Sequence, residues 1–99
     1  MPRKKIRTTR YDNAALLKKP EDVVSYLEAA LEDGDPRVVA MALGNIARAR
    51  GMAAVARKSG LGRESLYKAL SPDGNPEFGT VLKVVRALGL RLHAAQAEM

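Results

Sequence analysis

The 99-residue chain has no cysteine, no tryptophan and a single histidine, His93. Without cysteine it can form neither a disulfide frame nor a cysteine-ligated zinc site. One histidine removes His-pair metal sites, and no general acid/base pair accompanies it; His93 is expected as an exposed residue without a metal or catalytic role. Aromatic residues are few: Tyr11, Tyr26, Tyr67 and Phe78. No apolar run approaches the roughly 18 residues of a membrane span. Met1-Pro2-Arg3-Lys4-Lys5 is basic, but neither an apolar stretch nor a small-residue cleavage site follows it. No secretion signal and no membrane partner are therefore predicted, and a cytoplasmic location is expected. Gly60-Leu61-Gly62 is too short for a nucleotide-binding fingerprint. The chain is read as a non-enzyme that needs no cofactor and no metal.

What is present is Ala, Leu and Val, a composition that suits small helices packed closely together. The length fits one domain. A chain this short buries only about two-thirds of the surface that its unfolded form exposes, so oligomerisation would be a natural source of extra burial.

The net charge of +6 is unevenly spread. Residues 1–19 carry seven Lys or Arg against Asp12 alone, whereas residues 20–46 carry six acids against Arg37 alone. Residues 47–99 return to nine basic residues against four acidic ones. Two basic regions flanking an acidic one favour a polyanionic partner, most often nucleic acid. Residues 1–19 lack a sustained helical period and read as a basic N-terminal arm. Residues 20–99 read as the folded domain.

Local signals divide that domain into five helices. Pro20 stands at a first helical position with Glu21 and Asp22 behind it, where acids favour the positive end of the helix dipole. Val23, Val24, Leu27 and Leu31 supply an apolar stripe, and Gly34 ends the helix. Asp35-Pro36 repeats the start signal as N-cap and first residue. Val39, Leu43, Ile46 and Ala47 form the inward face of that second helix, and Gly51 closes it. A third helix spans Met52 to Ser59 and a fourth Arg63 to Leu70, broken apart by Gly60-Leu61-Gly62. Ser71-Pro72-Asp73-Gly74-Asn75 is turn chemistry. Asn75-Pro76 is expected to start a fifth helix with Val81, Leu82, Val85 and Leu88 inward. Beyond Gly89, the alternation of Leu90, Leu92 and Ala94 with Arg91 and His93 predicts a short C-terminal edge strand able to pair with its copy.

The third and fourth helices have the requirements of a helix-turn-helix over 52–70. Ala56 is the small residue where the helices cross, and Gly60 relieves the turn. Val55, Leu61, Leu66 and Leu70 close the inner surface. Arg63, Glu64, Ser65, Tyr67 and Lys68 all lie off the Leu66/Leu70 stripe and form the candidate reading face. Arg63, at the start of the second helix, has the chemistry to grip guanine O6 and N7. Glu64 and Ser65 suit cytosine or phosphate, and Tyr67 and Lys68 suit phosphate or a thymine methyl. Arg57 and Lys58 on the preceding helix are candidate phosphate clamps. The alternative for the charged residues is an ordinary solvated face, and for Tyr67 a half-buried ring with a wet hydroxyl.

From Tyr26 to Leu92 the chain resembles the HigA-like addiction-module antidote proteins of the Xre/Cro-type helix-turn-helix superfamily. The stretches that carry the resemblance are Tyr26-Leu27-Glu28, residues 42–52 (ALGNIARARGM), 60–70 (GLGRESLYKAL), Asp73-Gly74-Asn75-Pro76 and 87–92 (ALGLRL). The resemblance implies an all-α, five-helix, lambda-repressor-like domain. It also implies an antitoxin that binds a RelE/HigB-like toxin protein, and a transcriptional repressor that binds double-stranded operator DNA as a homodimer. The alternative is a stand-alone phage-type repressor without a toxin. One departure is informative. Relatives commonly carry Thr or Ser followed by Gln where this chain has Ala53-Ala54. Losing the hydroxyl removes a cap worth on the order of 1 kcal/mol, and losing the Gln removes a usual DNA contact. The acidic first helix and the basic arm are the surfaces expected to meet the toxin.

Overall fold

A computed structural model describes Leu17 and residues 19–98. Among them are five α-helices and no strand: α1 (Pro20–Asp33), α2 (Pro36–Arg50), α3 (Met52–Ser59), α4 (Arg63–Ala69) and α5 (Phe78–Ala87). The expected all-α class and helix count are thus met. No single helix among the described residues is long and apolar enough to cross a membrane.

Local chemistry sets the first three boundaries. Lys19 and Pro20 start α1, and Gly34 stops it in the left-handed conformation at φ 83°. The Asp35 carboxylate accepts the backbone N–H of Arg37 at 2.9 Å, which satisfies one orphan donor at the start of α2. Gly51 joins α2 to α3 at φ 101° and ψ 110°, a conformation open to glycine, and the chain bends by 109° between the two helices.

All five helices contribute to one core. Leu43 and Ile46 of α2, Val55 of α3, Leu66 of α4 and Val84 and Val85 of α5 are all fully buried, with Val23 of α1 beside them. Leu17 also packs into this cluster, although it falls in the stretch read as the arm. The rest of that arm, apart from Lys19, lies outside the described residues. No charged or polar side chain is buried among the described residues, so hydrophobic burial provides the cohesion.

Four expectations are corrected. The fifth helix begins at Phe78, with Glu77 as its N-cap, and not at Asn75-Pro76. The turn before it folds back onto the end of α4, where Gly74 lies against the carbonyls of Lys68 and Ala69, and residues 75–77 lead from there to the helix. The inward face of α5 is Val84, Val85 and Leu88, with Val81 partly buried and Leu82 exposed, because α5 takes its rotation from packing on α3. On α1, Ala30 is buried while Val24 and Leu31 are 49% and 43% exposed. Finally, residues 90–94 form no strand: a ladder needs a second strand, and no neighbouring segment among the described residues supplies one.

Candidate nucleic-acid interface

The α3–α4 hairpin is built from its turn outward. Gly60 ends α3 at φ 79° and donates its N–H to the Ala56 carbonyl at 3.0 Å. The hydroxyl of Ser59 donates to that same carbonyl at 3.2 Å and accepts the N–H of Leu61 at 3.3 Å. Ser59 therefore ties the end of one helix to the approach of the next. Gly62 is extended and its carbonyl accepts the N–H of Leu66 at 2.9 Å, which opens α4.

Within the hairpin, Val55, Ala56, Leu66 and Leu70 are buried and Leu61 is partly buried, as the inner surface requires. The consequence is a fixed outer face. Arg63, Glu64, Ser65, Tyr67 and Lys68 are all exposed, and Tyr67 keeps 45% of its surface in solvent. Arg57 and Lys58 are exposed in the last turn of α3. Ala53 is exposed and Ala54 partly so, at the start of that helix. Over residues 52–70 there are four basic side chains against Glu64. All seven candidate residues thus sit on the solvent side of the hairpin, available to a large partner.

The exit of α4 is held more firmly than its entrance. The Ser71 hydroxyl donates to the Lys68 carbonyl at 2.9 Å. Gly74 lies directly against the carbonyls of Lys68 and Ala69, and α2 reaches the Leu70 carbonyl through Gly44. Two further connections were not apparent from the sequence. Asn45 Nδ2 donates to the Tyr26 hydroxyl at 2.8 Å while its Oδ1 accepts from Arg48 at 2.6 Å, linking α1 to α2. Arg50 reaches the Leu88 carbonyl at 3.3 Å, linking α2 to the end of α5. Neither pair has a local signal, since the partners are 19 and 38 residues apart. Among the described residues no group of three or more His, Asp or Glu is arranged to hold a metal ion, and His93 is exposed.

A family model described as "Probable addiction module antidote protein" matches residues 7–96. The chain belongs to this family. An uncharacterized protein of Haemophilus influenzae is 45% identical over 88 residues, a span covering 89% of this chain and 91% of the relative. No solved structure matched. Membership of the antidote family gives the chain a toxin as its partner in general terms, and the family is not one of enzymes. The family match runs through all five helices and so includes the whole α3–α4 hairpin.

Proposed function

We infer that this antidote is the antitoxin of a type II toxin–antitoxin module. It neutralises a RelE/HigB-like toxin by binding, and as a homodimer it represses its own operon through operator DNA. It is HigA-like, of the Xre/Cro-type superfamily, and residues 52–70 are its helix-turn-helix in a lambda-repressor-like domain spanning 20–99. Residues 1–19 act as a basic arm that engages phosphates or the toxin. The observation that carries the DNA reading is the division of α4: Leu66 is fully buried while its five candidate contact residues all face solvent. Arg63 reads a base edge, Glu64, Ser65, Tyr67 and Lys68 complete the reading face, and Arg57 and Lys58 clamp phosphates. The antidote family favours this reading over a stand-alone phage-type repressor.

Two measurements test it. A gel-shift titration on the DNA upstream of its own gene is expected to give a specific complex that competitor DNA of unrelated sequence does not displace. Co-expression with the protein encoded by the adjacent reading frame is expected to restore growth and to yield a co-purifying complex. Failure of the first with success of the second would leave an antitoxin without autorepression. The reverse result would leave a repressor without a toxin.

A further inference from the structure

A groove runs between α1 and the chain that follows α5. Val24, Leu27 and Leu31 line one side and Leu90 and Leu92 the other, with Glu28 on the α1 rim and Arg91 and His93 on the opposite one. Val24 and Leu31 are among the most exposed large hydrophobic side chains of the described residues. The α1 side is also charged in one sense only. Glu21, Asp22, Glu28, Glu32 and Asp33 are all exposed, and α1 contains no Lys or Arg. Glu21, Val24, Glu28, Leu31 and Glu32 recur at helical spacing, so apolar and acidic side chains share one face of the helix. Among the described residues the ion pair present is Arg37–Asp35, which includes none of these five acids.

We propose that this groove is the seat of the chain's own N-terminal segment, residues 1–16, folded back along α1. Three observations select this occupant. The segment carries Arg3, Lys4, Lys5, Arg7 and Arg10 against Asp12 alone, the charge that α1 lacks. Ile6 and Tyr11 lie among those cations, so the segment, like the groove, combines apolar groups with charge of one sign. Its reach is also sufficient. Leu17 is buried in the core and Lys19 leads into α1, so the segment departs from the N-terminal end of the acidic wall. Extended, it spans roughly 50 Å, against about 21 Å for the 14 residues of α1. Ile6 and Tyr11 cover Val24 and Leu31, and the basic side chains meet Glu21, Glu28 and Glu32. Arg91, beside His93 on the other rim, repels them toward α1. Exposed ion pairs contribute little singly, so the seat depends on its apolar floor as much as on charge. Tethering compensates for weak contacts, because an attached segment is present at an effective concentration on the order of millimolar. The consequence is competition. The segment and α1 engage each other before any partner arrives, and a polyanion that takes the one or a protein that takes the other must separate them. The proposal goes beyond the function above and holds whether or not the chain binds DNA or a toxin.

The absence of cysteine gives a direct test. Thr8→Cys places a single nitroxide spin label in the segment, and the amide signals of the full isotope-enriched chain are recorded by NMR without DNA. Signals of residues 24–31 and 90–93 are expected to be broadened beyond detection, and those of α4 to persist. In a mixture of spin-labelled unenriched chain with unlabelled enriched chain, residues 24–31 are expected to stay sharp, since the seat lies within one chain. Glu28→Lys with Glu32→Lys, at exposed positions, is expected to restore the lost signals with an unchanged circular dichroism spectrum. Adding Arg7→Glu and Arg10→Glu to that variant is expected to broaden them again. Val24→Ser with Leu31→Ser keeps every charge and is expected to restore the signals as well. Sharp signals throughout the otherwise wild-type chain, broadening in the mixture, or broadening that survives either pair of α1 substitutions would each overturn the proposal. Failure of the charge-swapped chain to recover the broadening would do so too.

Discussion

Gly44 of α2 lies against the Leu70 carbonyl so closely that a β-carbon at position 44 would stand 2.9 Å from that oxygen. The neighbour is backbone, at the exit of α4, and has little room to yield. Gly44→Ala gains up to about 1 kcal/mol of helix propensity, but the clash costs about 1–3 kcal/mol. The expected outcome is a net loss of about 1 kcal/mol, read as a lower midpoint in thermal unfolding followed by circular dichroism.

A matched pair of glycines gives a sharper comparison. A β-carbon at Gly74 would collide with the carbonyls of both Lys68 and Ala69, whereas one at Gly79 would meet nothing within 4 Å. Gly74→Ala is therefore expected to destabilise more than Gly44→Ala does. Gly79→Ala, in the first turn of α5, is expected to stabilise by about 0.5 kcal/mol, because it restricts the unfolded chain at no steric cost. Denaturant midpoints of the three variants should fall in that order.

Tyr26→Phe removes the hydroxyl that accepts from Asn45, at a part-buried site between α1 and α2. Asn45 keeps its bond from Arg48. The expected loss is about 1 kcal/mol, the net worth of one such hydrogen bond. A double-mutant cycle with Asn45→Ala should recover most of that value as coupling energy.

These sites show how far local chemistry carries. The Asp35-Pro36 start, the glycine stops at 34, 51 and 60, and the buried set Ala56, Leu66 and Leu70 were legible because each signal acts within a few residues. Asn75-Pro76 carries the same start signal, yet α5 begins at Phe78, because Gly74 is held on the end of α4 by contacts that no short window contains. Val84 was missed and Leu82 misplaced for a related reason: the phase of α5 is decided by α3, some 25 residues earlier in the chain. Gly44, Tyr26 and Arg50 show no signal near their own positions, since each acts on an atom far along the chain. The exposure of Arg63, Glu64, Ser65, Tyr67 and Lys68 was legible, because they are what the Leu66/Leu70 stripe leaves outside.

On that face, Arg63→Ala is expected to weaken specific operator binding by about 1–3 kcal/mol and to relax preference at one base position. Arg57→Ala and Lys58→Ala should instead weaken binding evenly across sequences and reduce the salt slope by about 1 each. Titrations at several salt concentrations on matched and scrambled DNA separate the two behaviours. An unchanged affinity for Arg63→Ala would remove that side chain from the reading face.

The arm is best tested by removing residues 1–16, a cut that keeps Leu17 in the core and Lys19 at the start of α1. The deleted stretch carries five Lys or Arg. If they neutralise phosphates, the dependence of operator affinity on salt flattens. An identical slope together with lost co-purification of the toxin would assign the arm to the protein partner.

The seven-residue α4 thus keeps two kinds of position strictly apart. Leu66, and the glycines at 44 and 74 that brace its exit, are confined by the packing around them. Arg63, Glu64, Ser65, Tyr67 and Lys68 carry none of the core, and replacements at such exposed sites usually change stability by no more than about 0.5 kcal/mol. Five adjacent surface positions can therefore drift, singly or together, while the scaffold beneath them stays folded. A duplicated copy of this gene could acquire a new outer surface in a few substitutions, each passing through a stable intermediate.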